Sequence, residues 1–435
     1  MASVRPGISD AGARTSRADV TLAWWSICSA MYYLFIGATL ARSYGAINTL
    51  AGSFIGAISL GLLTRVFVRH AIAARSGSSM LSQAMLGKQG GSLPTLILFA
   101  SCVYYAVFEG SVLAITVSKV LKWLSYGSAA VLVTIIGAGV AATKLRGLFE
   151  RVTGFLLPLY CAGIVLLVAL PLLGHGTANY SWLNYGSEHS LSMKGLSACV
   201  VSYLSLLGFC MISMDFAVEG RREDMAHHAR MTFGIPFYLV TLTLTAGVGI
   251  FLAGAVDRQL GATETGLVDV CLSILGAGWG LVWLFATQTR INSANFYVAC
   301  TNLRAGLEGM FRIRLGMGPL AVGVGIIVWV LMRSTDVFSY ILAALRVQGV
   351  FLAAWTGMAV IHIAAGRNRR LTPAGTGPAA VRWKGVTSWS CGVAMGLAAL
   401  WGTRVLAPWS LLVSAAGAAA AHSLPFERRR RSRLH

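Results

Sequence analysis

The chain has 435 residues, of which 56% are hydrophobic and only 11% charged, and its formal net charge is +20. A soluble domain carries about 25% charged residues, whereas this sequence contains repeated apolar runs of about 20 residues, each able to cross a hydrocarbon core of about 30 Å. The composition therefore excludes a soluble globular protein and predicts an all-α polytopic membrane protein.

The apolar runs predict about twelve transmembrane helices. The first 19 residues are polar, and we expect them to form a disordered cytoplasmic N-terminus without a cleavable signal peptide. The longest connections between spans are 65–92 and 366–385, and residues 423–435 form a basic tail. The predicted spans, in chain order, are 20–41, 46–64, 93–118, 128–142, 152–173, 196–216, 232–254, 274–303, 318–332, 337–365, 386–405 and 407–422.

The distribution of basic residues explains the positive net charge. With the N-terminus inside, the tails and inner loops hold 26 lysines and arginines and the outer loops hold seven; Arg290 and Arg346 complete the 35. This bias predicts cytoplasmic termini in a bacterial inner membrane. The terminal RRRRSR is interpreted as a contact with the anionic leaflet, so no nucleic-acid partner is expected.

The spacing of the spans predicts an internal repeat. Residues 20–173 contain five spans and residues 196–365 contain five more, while 386–422 adds two accessory helices. Because five is odd, the second set must cross the membrane in the opposite sense to the first. Inverted repeats of this kind form transporters with a substrate site near the membrane midplane.

The first predicted span contains a small polar cluster in its middle, Ser26, Cys28 and Ser29. Such a cluster permits the helix to unwind beside a cavity, which would make Ser29 a substrate-binding candidate. It equally suits an ordinary packing face between helices, and the sequence leaves both readings open.

The third span, which includes VYYAVFEGSVLAI, contains the most informative candidates. Glu109 is the only charged residue from Leu93 to Ser118, and a charge at this depth is costly unless it has a task or a partner. It is predicted to bind substrate, to carry a coupling proton or to neutralise a buried cation. Tyr105 lies one helical turn from Glu109 and offers a stacking surface for a planar ligand. Tyr104 and Phe108 form the same pair on an adjacent face, so the aromatic assignment stays open by one residue.

The eighth span contributes further polar candidates. Asn292 and Asn295 are one turn apart, and either amide could match the edge of a heterocycle or bond to another helix. Arg290 lies near mid-depth and is a possible partner for Glu109. At the inner end of the sixth span, Asp215 is interpreted as a structural cap or gate contact. His227 and His228 are expected to be exposed in the following loop, and no metal site is predicted.

Three segments resemble the nucleobase:cation symporter family, which includes purine/cytosine and hydantoin permeases. ARSGSSMLSQAMLGKQGGSLP resembles an inner-loop pattern of that family, GFCMISMDFAVEGRREDM resembles its "PDFTRYAR" segment, and TQTRINSANFYVACTNLRAG resembles its "TTN..N.YS..L.LSN" segment. The chain departs from the family where a proline before Asp215 is missing and where Ala353-Ala354 replaces a proline pair.

The resemblance implies the five-plus-five inverted repeat, with substrate between spans one, three, six and eight. It also implies a sodium site between spans one and eight, where Thr287 and Thr289 offer hydroxyl ligands. Arg290 stands among these residues, where the family has a short hydroxyl or amide side chain. A guanidinium there would repel sodium and could bond the carbonyls itself, so we predict sodium-independent transport with coupling to a proton.

Together, the residues and the resemblance predict a secondary transporter that imports a nucleobase such as cytosine or a purine, or a related nitrogen heterocycle. An amino-acid or amine transporter of the same fold is the alternative, and a non-transporting membrane sensor is a more distant one. No enzyme activity and no cofactor are predicted, because the sequence has no nucleotide-binding glycine loop, Ser/His/Asp set or metal cluster. The expected partners are the heterocycle, a coupling proton or sodium ion, and the lipid bilayer.

Overall fold

The computed structural model describes residues 15–142, 146–175, 182–256, 263–334, 337–366, 379–403 and 405–424. All the regular secondary structure within these ranges is helical. Of the residues predicted to be disordered, 1–19, residues 1–14 lie outside the described residues, whereas residues 17–19 form the start of a helix. The basic tail from 425 onward also lies outside the described residues. The boundaries proposed for the two repeats stay a prediction.

The first half of the chain contains five of the predicted spans, with α1 and α2 together forming the first span and α4 lying between the second and third. These helices are α1 Arg17–Trp25, α2 Met31–Tyr44, α3 Ala46–Ala74, α4 Ser78–Gly90, α5 Ser92–Val120, α6 Tyr126–Ala142 and α7 Arg146–His175.

The second half contains the sixth to tenth spans and the accessory pair. Spans six and seven consist of several pieces; π-helical segments at His228–Thr232 and Leu239–Leu244 link the pieces of span seven. The helices are α8 Met193–Leu204, α9 Gly208–Ala217, α10 Met225–His227, α11 Ile235–Tyr238, α12 Thr245–Ala255, α13 Glu264–Leu275, α14 Ala277–Phe311, α15 Met317–Ser334, α16 Val337–Ala364, α17 Trp383–Gly402 and α18 Ser410–Ser423.

The helices confirm an all-α membrane fold with five-plus-five inverted repeats and two accessory helices. Seven helical segments of the described chain are long and apolar enough to span a membrane, or eight if the bent pair 17–44 is one span. Among the other predicted spans, α6 and α18 have only 17 and 14 residues. The long helix α14 has buried polar residues, including Gln288, Arg290 and Asn292, which lower its hydropathy.

Both repeats begin with an interrupted helix. The first span bends by 43° at the short 3₁₀ segment Ser26–Ser29, and Ala30 has an extended backbone with φ −66° and ψ 126°. The small polar cluster therefore marks a break, rather than a continuous packing face. In the sixth span the backbone between α8 and α9 tightens to i→i−3 bonds, such as the one from the Leu207 N–H to the Leu204 carbonyl, 3.2 Å.

The connection predicted over 65–92 is largely helical. Helix α3 continues to Ala74 because Phe67, Val68, Ala71 and Ile72 place a buried apolar stripe on one side of it. Helix α4 follows, with a kink at Gly87, whose φ is +85°. A Cβ atom there would lie 2.7 Å from the Arg382 backbone nitrogen, so the close approach of segment 379–382 requires glycine.

The packing places the third helices of the two repeats side by side, because α5 runs along α14. Helix α2 packs against α12, with its backbone so close that a Cβ atom on Gly249 would lie 2.0 Å from the Leu34 carbonyl oxygen. The accessory helices α17 and α18 pack against each other and against α16. The broken first span is thus held between α5, α9, α12 and α14.

Candidate substrate site

The break in the first span interrupts the regular backbone hydrogen bonds at membrane depth, and within the broken segment the Ser26 carbonyl oxygen accepts a hydrogen bond from the Ser29 hydroxyl at 2.9 Å. Unsatisfied backbone groups at this depth are costly and must be bonded by other protein groups or by water. In this structure, side chains from α5 and α14 bond them, and these side chains include the charged residues singled out in the sequence.

Glu109 of α5 bonds the first turn of α2. Its Oε1 atom accepts a hydrogen bond from the Tyr32 N–H at 3.3 Å, which is the position that an N-capping side chain normally serves. A carboxylate is also favoured there by the positive end of the helix dipole. The second oxygen, Oε2, is buried and has no hydrogen-bond partner, so the carboxylate retains an unused acceptor.

Residues of α14 bond the opposite end of the break. Arg290 donates from Nη1 to the Ser26 carbonyl oxygen at 3.1 Å, and Gln288 donates to the Ser29 carbonyl oxygen over a longer 3.4 Å. The Thr287 hydroxyl donates within α14 to the Trp283 carbonyl oxygen, 2.7 Å away. The Thr289 hydroxyl is buried without a partner. Two of the backbone oxygens in the unwound segment are therefore already bonded by protein donors.

Glu109 and Arg290 do not form the ion pair that the sequence left open. The ion pairs formed within the described part of the chain do not include one between them, and each is directed to a different end of the break. The two charges thus stabilise the N–H groups and the carbonyl groups of the first span separately.

A cavity of about 100 Å³ lies beside the break. At about 10–15 Å³ for each enclosed water, this volume corresponds to roughly seven to ten water-sized groups, which suits a small ring. The cavity is bounded by the first, third, sixth and eighth spans. Its lining consists of Ala23, Ser26, Ile27, Ala30, Tyr32, Tyr33, Cys102, Tyr105, Glu109, Leu206, Phe209, Ile212, Phe216, Ile291, Ala294, Asn295 and Val298.

The structure separates the sequence-predicted candidates into two groups. Tyr105, Glu109 and Asn295 line the cavity. Cavity-lining positions recur every three or four residues in α5 and α14, as one face of a helix requires. The remaining candidates lie outside this lining; they are Ser29, Tyr104, Phe108, Asn292, Thr287, Thr289 and Arg290.

The packing explains why the neighbouring candidates do not reach the cavity. Phe108 lies between the rings of Tyr32 and Phe35, with centroid distances of 5.5 and 5.6 Å. Asn292 faces α5, where its Nδ2 atom lies 3.6 Å from the point that a Cβ atom added to Gly110 would occupy. Of Tyr104 and Tyr105, only Tyr105 is part of the cavity lining, and a stacking role for it stays a prediction.

Several aromatic lining residues were not identified from the sequence. Tyr32 and Tyr33 follow directly after the small polar cluster, and this position next to a helix break is the signal that could have identified them. Phe209 and Phe216 of α9 lie in an apolar run that has no comparable signal. The cavity therefore has more aromatic surface than the sequence predicted.

Asp215 and His228 form hydrogen bonds at the end of the bundle that contains α1. Asp215 accepts hydrogen bonds from the Ser78 N–H and hydroxyl, both at 2.8 Å, and so caps α4 from the end of α9. The expectation that His228 is exposed is wrong, because its side chain is fully buried. Its Nδ1 atom lies 3.0 Å from the Thr232 hydroxyl oxygen, which lies 2.9 Å from that of Thr21 in α1.

At the other end of the cavity, side chains of α16 bond to α2 and α5. Arg346 donates to the Tyr44 hydroxyl oxygen at 3.0 Å, and Gln348 donates to the Tyr105 hydroxyl oxygen at 3.4 Å. Arg346 and Gln348 are not part of the cavity lining, which continues in the opposite direction to Ala23 and Phe216. The cavity thus extends toward the side of the molecule that carries α1.

Comparisons with known proteins identify the fold. No family model and no curated protein matches the sequence. Mhp1, a nucleobase-cation-symport-1 family transporter, in a closed conformation with bromovinylhydantoin bound, aligns with a TM-score of 0.75 and 13% identity, over 96% of this chain and 94% of that chain. Its inward-facing conformation aligns at 0.69 and 13%, over 97% and 95%. MhsT in complex with L-phenylalanine aligns at 0.60 and 15%, over 93% and 99%.

The similarity covers nearly the whole of each chain and confirms, at the level of fold, the resemblance noted in the sequence. This chain is a multi-pass membrane protein with the Mhp1 fold. These proteins of similar structure are transporters.

Proposed function

We propose that this chain is a cation-coupled secondary transporter that takes up a small nitrogen heterocycle, such as a nucleobase, through alternating access. The observation that supports this proposal best is the cavity beside the broken first span, where Tyr105, Glu109 and Asn295 converge from α5 and α14. An aromatic ring, a carboxylate and an amide can together stack a planar ligand and bond its donor and acceptor edge.

The same geometry disfavours the amino-acid alternative. An amino acid brings its own carboxylate, which needs a cation or free N–H groups. Glu109 already accepts from the Tyr32 N–H, and the described cavity lining contains no lysine or arginine. The ammonium group of an amino acid would be attracted by Glu109, but its carboxylate would find no cation in that lining, and a carboxylate 4 Å from Glu109 would be repelled by about 4 kcal/mol at an effective dielectric constant of 20.

The proposed setting is a bacterial inner membrane with both termini in the cytoplasm, as the loop charges predict. The cavity would then extend toward the cytoplasm. The coupling ion proposed is a proton, since Arg290 bonds the Ser26 carbonyl oxygen that a sodium ion would otherwise use.

The direct test is uptake by the purified chain in proteoliposomes. Labelled cytosine, uracil, hypoxanthine and allantoin are offered beside L-phenylalanine, with the interior more alkaline than the exterior. We expect accumulation of at least one heterocycle and none of L-phenylalanine. Uptake of L-phenylalanine alone would favour the alternative, and uptake of none would contradict the proposed function.

Two variants connect the uptake to the cavity. Glu109→Gln should reduce accumulation at least tenfold because the lone carboxylate is lost, while the protein remains inserted and monodisperse. Asn295→Ala should also reduce it. The matched control is Asn302→Ala on the same helix, since Asn302 is not part of the cavity lining and its amide donates within α14 to the Val298 carbonyl oxygen. Unchanged uptake in Glu109→Gln would show that the cavity is not the substrate site.

A further inference from the structure

The cavity contains one formal charge and no counter-charge among its described lining residues. Glu109 is 1% exposed, one of its oxygens bonds the Tyr32 N–H, and the other has no partner. A buried carboxylate with an unused acceptor oxygen is costly, and this cost is recovered when a ligand supplies a donor. A charged donor recovers the most, because charge-assisted hydrogen bonds are about twice as strong as neutral ones.

The other lining groups suit a cation as well. Tyr32, Tyr33, Tyr105, Phe209 and Phe216 contribute aromatic rings to one small cavity. The face of an aromatic ring attracts a cation, most strongly where both are desolvated. Asn295 adds a neutral amide that can accept an N–H. These groups provide one carboxylate and several electron-rich surfaces, and none of the described lining residues carries a positive charge.

We propose that the ligand of this cavity is a small organic cation, specifically the protonated form of a single-ring heterocycle of the amidine type. This proposal rests on the proposed transport function and names the substrate class of the same site. The ring N–H and the exocyclic amino group would both donate to Glu109, with the ring against the aromatic side chains. The ligand takes up its proton in solution before binding and carries it through the cycle.

The competing arrangement is a neutral ligand with the coupling proton on Glu109. The two differ in how they treat a permanently charged ligand. A cationic ligand needs an ionised Glu109, so a methylated cation of similar size binds at any pH at which the carboxylate is ionised. A protonated Glu109 has no charge to offer, so it prefers a neutral ring and rejects the methylated cation.

The binding test uses the purified full-length chain and three probes of similar size. They are 2-aminopyridine at pH 6, the permanently charged 1-methyl-2-aminopyridinium, and the neutral lactam 2-pyridone, with thermal stabilisation as the readout. We expect protonated 2-aminopyridine to bind at least tenfold more tightly than 2-pyridone. The methylated cation, which keeps the charge and the amino donor but lacks the ring N–H, should bind less tightly than protonated 2-aminopyridine and still more tightly than 2-pyridone. Equal binding of the three probes, or tighter binding of 2-pyridone, would overturn the proposal.

Substitutions of the carboxylate sharpen the result. Glu109→Gln should abolish the preference for the cations while retaining weak binding of 2-pyridone, and Glu109→Asp, which retains the charge, should keep the preference. If Glu109→Gln does not fold, the preference of the unmodified chain still decides the question. A preference that persists in a folded Glu109→Gln protein would contradict the proposal.

A transport experiment separates failure of this proposal from failure of the proposed function. A potassium diffusion potential of about 60 mV, negative inside and without a pH gradient, should accumulate the methylated cation about tenfold, as expected for one charge. Uptake of neutral heterocycles driven only by a pH gradient would overturn the cation proposal and leave the transport function intact. Binding of the cations without any uptake would support the ligand class and contradict the transport function.

Discussion

Arg290 is the residue on which the proposed ion coupling depends most. Its guanidinium donates to the Ser26 carbonyl oxygen beside Thr287 and Thr289, where the family resemblance implies a sodium site. A sodium ion 4 Å from this charge would be repelled by about 4 kcal/mol at an effective dielectric constant of 20. We therefore expect uptake by the unmodified chain to be the same in sodium buffer and in choline buffer at fixed pH.

Replacing the guanidinium provides the complementary measurement. Arg290→Ala should slow uptake at least tenfold, because the Ser26 carbonyl oxygen loses a charged donor, and it should make uptake respond to sodium. Arg290→Lys is the control that retains the charge and loses the planar fork. A strict requirement for sodium in the unmodified chain would contradict this role of Arg290.

The sequence predicted residue types more successfully than residue positions. It identified Glu109 because a lone carboxylate in an apolar span is conspicuous whatever its orientation. It could not choose between Tyr104 and Tyr105, which point about 100° apart on a helix, or between Asn292 and Asn295, which point about 60° apart. That choice depends on how α5 and α14 turn against each other, and this is a property of the packed molecule.

At the level of helices, the two parts of the first span have different surroundings. Helix α2 is fixed against α12, where Gly249 lets the Leu34 carbonyl oxygen approach closely. Helix α1 has its own contacts with α9 and with the π-helical segment His228–Thr232. The extended backbone at Ala30 separates them, so the two parts of the first span pack against different helices.

The tight contact between α2 and α12 gives a matched pair of substitutions. Gly249→Ala should lower the midpoint of thermal unfolding, because the new Cβ would lie 2.0 Å from the Leu34 carbonyl oxygen. Gly247→Ala, on the same helix, meets only a Leu50 side-chain atom at 3.7 Å. It should leave the midpoint unchanged or raise it, since alanine is better in a helix by about 1 kcal/mol. Equal midpoints for the two variants would contradict the close packing.

The sequence predicted the long helices but missed short elements that depend on tertiary contacts. Helix α4 is rich in Ser, Gln and Gly and was assigned to a connection. Its first turn is capped by Asp215 from a distant part of the chain. The tightened turn between α8 and α9 lies within the apolar LSLLGFCM, where no polar cluster marks it. The break in the first span did have such a mark, at Ser26, Cys28 and Ser29.

For the whole molecule, the charge distribution makes a prediction that the helix packing alone does not. The predicted spans divide the loops and tails into one set with 26 basic residues, which includes both termini, and an opposite set with seven. Both termini should therefore be cytoplasmic. A reporter that is active only in the periplasm should be silent when fused after His435. The same reporter fused after Trp123, in the connection between α5 and α6, should be active. The reverse pattern would contradict the assigned orientation.

The overall architecture could be predicted because many weak signals along the chain agree. Span length, charge bias and the odd number of spans in each predicted repeat all favour the same inverted repeat. The cavity depends instead on a few contacts between α1, α5, α9 and α14. Two of its aromatic residues, Phe209 and Phe216, lie in a segment whose family resemblance does not indicate which side chains face a ligand. The sequence therefore predicts the fold more completely than it predicts the side chains that line the cavity.

The cavity also contains a nucleophile, since the Cys102 side chain is part of its lining. The other described cysteines lie elsewhere: Cys161 and Cys391 are exposed, and the remaining five are buried outside this lining. A thiol reagent small enough to follow the ligand would meet Cys102 one turn from Tyr105. The native chain thus already contains an attachment point for a spectroscopic label inside the proposed substrate cavity.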